Sequence, residues 1–189
     1  MPDDLAALVN RATQGDSNAV EALLVEHLPA LRAFVRLKAG ALLLEKESCS
    51  DLAQSVCRDV LANAGRFRWG GEAEFRKWLF TTAMRKIADR HAHWRAGKRA
   101  AAREQSVADD EALLGYQSFC TPSRTAGARE ELTRVEGAFA RLAPDKQEVI
   151  LMARLFGMTA GQIGAEIGKS EGAVRTMLSR ALAELAERL

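Results

Sequence analysis

The sequence predicts an all-α protein, two helical domains joined by a linker. Apolar residues recur at the helical period in nearly every patterned segment. Strand-like alternation between hairpin signals is missing throughout. Where the apolar stripes stop, Gly, Pro, Ser or Asp stands, the residues that end or cap helices. A length of 189 residues suits one medium or two small domains, and the composition is that of an ordinary soluble globular chain.

Asp3 or Asp4 caps a first short helix, which Gly15-Asp16-Ser17 ends. A second helix carries Val20, Leu23, Leu24 and Leu28, and Pro29 is expected to break or kink it because proline lacks the amide a helix interior needs. Leu31, Phe34, Val35 and Leu37 continue to Gly40, and Ala41 to Ser50 reads as a loop or helix end. Ser50 or Asp51 then caps a helix with Leu52, Val56, Val60 and Leu61 on its apolar face, stopping near Gly65. After a loop from Arg66 to Gly71, Phe75, Leu79, Ala83 and Ile87 form the inward stripe of a long helix, widened by Phe80 and Met84.

That helix turns basic at its end. From Arg85 to Arg103 seven Lys/Arg face one acid, Asp89, a local charge of +6, whereas from Glu104 to Glu131 six acids oppose two arginines, a local charge of −4. The whole-chain charge of +2 hides this asymmetry, and the basic run points to a polyanion. Residues 101–131 read as a linker, interrupted by Pro122 but holding Leu113, Leu114, Tyr116 and Phe119, enough apolar surface to dock.

The last third begins with a helix from about Leu132 to Leu142 and another opened by Pro144 and closed by Gly157. Thr159-Ala-Gly-Gln162 is a capping box, Gly168-Lys169-Ser170 a tight turn, and Ser170 the cap of a final helix with Val174, Leu178, Leu182 and Leu185 inward. The pattern is a helix-turn-helix. Its second helix enters a major groove, so Arg175, Thr176, Ser179 and Arg180, off the inner stripe, are the residues able to touch bases. Arg175 or Arg180 suits a guanine edge; Ser170 and the free amides around it suit a phosphate. Glu184 and Glu187 near the end of this helix, and Met177 at a polar-looking place, argue for modest affinity on its own.

Phe67 and Trp69, flanked by Arg66 and Arg68, combine aromatic faces with cations, the ingredients of single-strand capture. Stacking is worth about 1–3 kcal/mol per base, enough for Trp69 to hold a base turned out of the duplex. Phe67 is assigned to anchoring the loop and Trp78 to packing, while Arg85 and Asp89, opposite the apolar stripe, face nucleic acid. His91 and His93 are two apart, on different helix faces, and no metal site is expected. No nucleophile-elbow, P-loop or zincin signature is present, so neither catalysis nor a cofactor is expected. Cys49, Cys57 and Cys120 are read as free thiols in a cytoplasmic protein, since no signal peptide precedes them and no run approaches a membrane span.

An aromatic loop with a basic helix near the front, and a terminal helix-turn-helix after a linker, together resemble the extracytoplasmic-function sigma factors of the sigma-70 family. DLAQSV and FRKWLFTTAMRKIADR stand in place of the family's clamp-binding and promoter-melting segments. The resemblance implies a sigma-2-like domain over 1–100, a linker over 101–131 and a sigma-4-like domain over 132–189. It implies that Asp51, Leu52, Gln54, Ser55, Val56 and Arg58 bind the clamp of core RNA polymerase. Arg68, Trp69, Arg85, Lys86, Asp89 and Arg90 would bind and open the minus-10 element of promoter DNA. Ser170, Arg175, Thr176, Ser179 and Arg180 would read the minus-35 element.

Serines at 48, 50 and 55 occupy ground where the family usually carries acids, leaving Asp51 alone of the leading carboxylates. Two expectations follow: phosphorylation of Ser48, Ser50 or Ser55 by a Ser/Thr kinase gates polymerase docking, or the serines simply cap the helix. An anti-sigma factor is a further expected partner. The competing readings are an autonomous helix-turn-helix regulator, whose front bundle senses a ligand or dimerises, and a helical adaptor whose basic helix is only a solvated face.

Overall fold

The computed structural model describes residues 5–66, 70–96 and 128–189. Among these, eight α-helices and one 3-10 turn are present and no strand. In the front half are α1 (Leu5–Thr13), α2 (Ser17–Leu44), α3 (Cys49–Asn63), the 3-10 turn Ala64–Arg66 and α4 (Glu72–Ala96). The rear half holds α5 (Ala128–Ala140), α6 (Pro144–Arg154), α7 (Ala160–Ile167) and α8 (Glu171–Glu187).

Asp16 starts α2: its carboxylate accepts from the amides of Asn18 and Ala19 at 2.9 and 3.3 Å. The helix then runs through Pro29 without the break that is one of the two outcomes expected there. Leu23, Leu24, Leu31, Phe34 and Val35 on both sides of the proline are buried, and that packing outweighs one missing hydrogen bond. Pro29 has no amide to offer the Val25 carbonyl one turn earlier, and Val25 is 70% exposed. The departure from helical geometry falls instead at Gly40 (φ 68°, ψ 163°), conformational space that glycine enters freely.

The cap of α3 is Ser48, not Ser50 or Asp51. Its hydroxyl oxygen accepts from the Asp51 amide at 3.0 Å and donates to the Asp51 carboxylate at 2.8 Å. The core takes Leu52, Ala53, Val56 and Val60, while Leu61, assigned from sequence to the apolar face, is exposed.

Helix α4 presents three arcs. Phe75, Leu79, Ala83 and Ile87 are buried against α2 and α3, as expected. Opposite them lie Arg85 and Asp89, exposed. Phe80 belongs to a third arc: it is fully buried, with its ring stacked on Phe156 of the rear half at 4.2 Å. Met84, one turn on, is exposed instead of widening the stripe. The end of α4 is tied to the α2–α3 connection, where the Glu47 carboxylate accepts from Trp94 Nε1 at 2.9 Å and pairs with Arg90 at 3.4 Å.

In the rear half Gln147 fastens the α5–α6 turn by donating to the carbonyls of Phe139 and Leu142. Gly157 (φ +65°) redirects the chain after α6. Val149, Met152, Ile163 and Val174 then form a small apolar cluster under the last two helices. Met177 is half-buried against it and does not occupy a polar site.

Candidate nucleic-acid interface

The rear site is built by caps and close approach. Thr159 Oγ1 accepts from the Gln162 amide at 3.2 Å while Gln162 Oε1 accepts from the Thr159 amide at 2.8 Å, the expected capping box. Gly168 takes the left-handed conformation (φ 68°), and the Lys169 amide donates to the Gly164 carbonyl at 2.9 Å. A Cβ on Gly164 would stand 2.4 Å from the Lys169 carbonyl oxygen, so glycine is required where the turn folds back on α7. Ser170 then caps α8 by accepting from the Ala173 amide at 3.3 Å.

With Val174, Ala181 and Leu185 buried, Ser170, Arg175, Thr176, Ser179 and Arg180 are all exposed on the leading part of α8. Arg175 pairs with Glu171 one turn earlier at 2.5 Å, on a surface where such a pair holds its partner weakly. Glu184 is less free to repel DNA than its charge implies. It pairs with Lys146 and, at 2.6 Å, with Arg188, and hydrogen bonds from these two cations hold its carboxyl below the usual range.

The front site is assembled from two helices. Asp59 and Asn63 at the end of α3 and Trp78, Thr82, Arg85, Lys86 and Asp89 on α4 line a cavity of about 360 Å³. Pockets of about 300–1,000 Å³ accept small-molecule-sized groups, so one base fits. Arg85 and Asp89 stand exposed at its wall, whereas Lys86 is held to Asp59 at 2.6 Å and Arg90 to Glu47. Trp78, read from sequence as packing, contacts the core and also lines this cavity. Arg68 and Trp69, with Phe67, lie outside the described residues.

Of the α3 residues named from sequence, Asp51, Gln54 and Arg58 are exposed on one face, joined by Leu61. Leu52 and Val56 are core residues and Ser55 is only 8% exposed, so these three touch the bundle interior and are not surface contacts. Cys49 is buried, its Sγ donating to the Arg32 carbonyl at 3.4 Å, and Cys57 is half-buried; neither is in a disulfide, and burial pushes the Cys57 thiol up while Arg32 pulls it the other way. Cys120 and the apolar linker residues Leu113, Leu114, Tyr116 and Phe119 lie outside the described residues, as do residues 97–127 altogether. Among the described residues there is no cluster of three His, Cys, Asp or Glu able to hold a metal, and no helix long and apolar enough to cross a membrane.

Two family models match the chain in this order. The one for sigma-70 region 2 matches residues 23–100, and the one for sigma-70 region 4 matches residues 132–185. The chain is 31% identical over 186 residues to the ECF RNA polymerase sigma factor SigF of Caulobacter vibrioides, covering 98% of itself and 93% of that protein. It is 30% identical over 184 residues to ShbA of Streptomyces griseus, described in the same words, covering 96% and 93%. It belongs to the ECF sigma factors. Mycobacterium tuberculosis SigD, at 27% identity over 185 residues, is a further similar member. The structure of CnrH in complex with the cytosolic domain of CnrY shares the fold, with a TM-score of 0.56 and 21% identity over 98% of this chain and 96% of that one.

Both matched regions carry a candidate surface. Region 4 contains the exposed head of α8; region 2 contains the whole cavity between α3 and α4. Sequence reasoning missed Asp59 and Asn63 as cavity residues: their i, i+4 spacing puts them on one side of α3, and only the packing of α4 makes that side a cavity wall. It also missed Leu61, which the apolar periodicity disguised as core.

Proposed function

We propose that this sigma factor docks core RNA polymerase through the exposed face of α3, reads the minus-35 element with α8, and opens the minus-10 element at the α3–α4 cavity. One observation carries the reading. A single chain presents a helix head with Ser170, Arg175, Thr176, Ser179 and Arg180 exposed, and, apart from it, a base-sized cavity whose wall offers both donors and acceptors. Duplex reading needs the first; holding an unpaired base needs the second.

On α3, Asp51, Gln54, Arg58 and Leu61 follow a three-four-three spacing, a seam suited to a partner helix. Leu61 supplies the apolar contact in place of the buried Leu52 and Val56. At the cavity Arg85 and Asp89 meet the strand, and Trp69, which follows Asn63 by six residues, stacks on the extruded base. Arg175 or Arg180 reads a guanine edge in the minus-35 element, Thr176 and Ser179 contact neighbouring positions, and Ser170 binds phosphate.

Regulation of docking by phosphate narrows to Ser48 and Ser50, because the Ser55 hydroxyl is buried. A phosphate on Ser48 would remove the cap of α3 while adding charge beside Asp51. A protein partner of the anti-sigma class would compete for the same α3 face.

The test is transcription by purified core polymerase on a broad promoter library, with and without the full chain. Stimulation from a defined subset supports the reading. Promoter duplex bound equally tightly without polymerase, and no stimulation, would instead indicate an autonomous regulator.

A further inference from the structure

Beyond its apolar stripe, the second half of α4 carries two adjacent lines of side chains spaced one turn apart. Arg85, Asp89 and His93 form the outer line and are exposed, and Arg85 makes no ion pair among the described residues. Lys86, Arg90 and Trp94 form the line beside it, and each of them meets an acid from outside the helix. Lys86 Nζ lies 2.6 Å from Asp59 Oδ2 near the end of α3, and Arg90 Nε lies 3.4 Å from Glu47 Oε2 just before α3 begins. Trp94 Nε1 donates to the other Glu47 oxygen at 2.9 Å. Only 20% of the Lys86 side chain and 17% of the Glu47 side chain is exposed, so both pairs are partly shielded from water and salt.

A carboxylate seated on a cation does in advance what a phosphate would do: it has already displaced the counterions whose release drives the binding of a polyanion. Nucleic acid passing α4 therefore gains from Arg85, but gains from Lys86 or Arg90 only by displacing Asp59 or Glu47, which then faces the incoming phosphates as a like charge. From Arg85 to Arg95 four Lys/Arg against Asp89 give a local charge of +3, which the two acids from outside the helix lower to +1. Asp59 and Lys86 both line the cavity, so a strand entering it passes the first of these pairs.

We propose that Asp59 and Glu47 are specificity-determining residues: by holding Lys86 and Arg90 they make α4 a poor ligand for DNA at large and keep those two cations for a strand whose base occupies the cavity. The second half of this statement rests on the role proposed above for the cavity; the first half, suppression of unspecific binding, stands without it. Discrimination of this kind comes from weakening the wrong complex and not from adding contacts to the right one. A base seated in the cavity keeps the strand's backbone beside α4, so its phosphates compete with the two carboxylates at a high effective concentration, which a strand merely passing by does not reach.

The experiment titrates the full chain, Asp59→Asn, Glu47→Gln and the two combined onto a labelled random-sequence single strand, in NaCl stepped from about 50 to 200 mM. Glu47→Gln leaves an amide oxygen for Trp94 Nε1, and circular dichroism and melting that match wild type establish that each variant is folded. Each single variant is expected to bind the random strand on the order of fivefold more tightly at the lowest salt. Each should also steepen the slope of log affinity against log salt by about 0.7, the increment for one more phosphate neutralised on a single strand, and the combined variant by about 1.4. Adding Lys86→Gln to Asp59→Asn should abolish the gain, since the cation that Asp59 restrains is then absent. Unchanged or weaker binding with an unchanged slope, or a gain that survives Lys86→Gln, overturns the masking. In a second arm each form is combined with core polymerase, and opening at a preferred promoter is divided by opening at promoters with a scrambled minus-10 element. That ratio is expected to fall on the order of fivefold in the combined variant, and a ratio equal to wild type overturns the specificity role. If the random strand behaves as stated while no form, wild type included, opens a promoter, the masking stands and the function proposed above falls.

Discussion

The rear helix-turn-helix and the front cavity, the two surfaces proposed to meet nucleic acid, are built in different ways. In the rear, the turn that launches α8 is written within a dozen or so neighbouring residues, the Thr159–Gln162 box, Gly164 under the Lys169 carbonyl, the left-handed Gly168 and the Ser170 cap, and packing on Val149 and Met152 of α6 completes it. In front, the cavity exists only because α3 and α4 are packed on α2 through Phe75, Leu79, Ala83 and Val60, and two of its neighbouring cations are tied to acids from other segments. A locally encoded surface is rigid before it meets DNA, whereas an assembled one depends on the tertiary packing of its bundle. Reading a duplex needs the former; a site that must receive a strand as it separates tolerates the latter.

The comparison breaks if damage to one site spreads to the other. The largest effect expected is from Phe75→Ala, which empties a fully buried aromatic position and should cost about 3–5 kcal/mol of front-half stability. Hydrogen exchange should then show α3 and α4 deprotected while the amides of α8 change little.

Next comes acidification. The His27 ring is buried near Phe75, its Nε2 lacks a hydrogen-bond partner among the described residues, and burial followed by the Arg76 charge lowers its pKa to about 4. Glu72, 3.9 Å away, does not reverse this because its carboxylate also pairs with Arg76. Below pH 6.5 the unfolded chain takes up the proton that the folded one refuses. Stability is therefore fully present above 6.5 and falls between 6.5 and 4, by up to about 3 kcal/mol. Urea denaturation at stepped pH should show that slope in wild type and a shallower one in His27→Gln, with the loss confined to the front half.

A smaller effect, confined to the rear, is expected of Gly164→Ala, whose Cβ must push back the Lys169 carbonyl at a cost of about 1–3 kcal/mol. Loss of α8 protection without change at α4 is the expected exchange pattern. Smaller still, Thr159→Ala should cost about 1 kcal/mol through the lost cap, read as a shift in the rear half's denaturation midpoint.

The same contrast explains what the sequence disclosed. Capping boxes, left-handed glycines and apolar periodicity are written in adjacent residues, so the rear unit could be read directly, and the family matches bear out the resemblance. Pro29 does not break α2, because buried residues flank it on both sides and packing outweighs a single residue's propensity. Leu61 and Met84 misled because periodicity says which residues share a face and not how wide the covered arc is. A matching segment does not say which of its residues face outward: burial puts Leu52, Ser55 and Val56 on the inner face of α3. Asp59 and Asn63 join Trp78 and Arg85 only through the packing of α3 on α4, a long-range fact that local patterning does not contain.

The proposed division of labour between the two surfaces is tested most directly on one promoter with core polymerase, by measuring binding and strand opening at the minus-10 element separately. Arg175→Ala should weaken minus-35 recognition by about 1–3 kcal/mol if its contact is bidentate, lowering binding and opening together. Arg85→Ala should leave binding to the minus-35 duplex unchanged and reduce permanganate-detected opening. Equal loss of duplex binding in both variants, or opening unaffected by Arg85→Ala, would contradict the account.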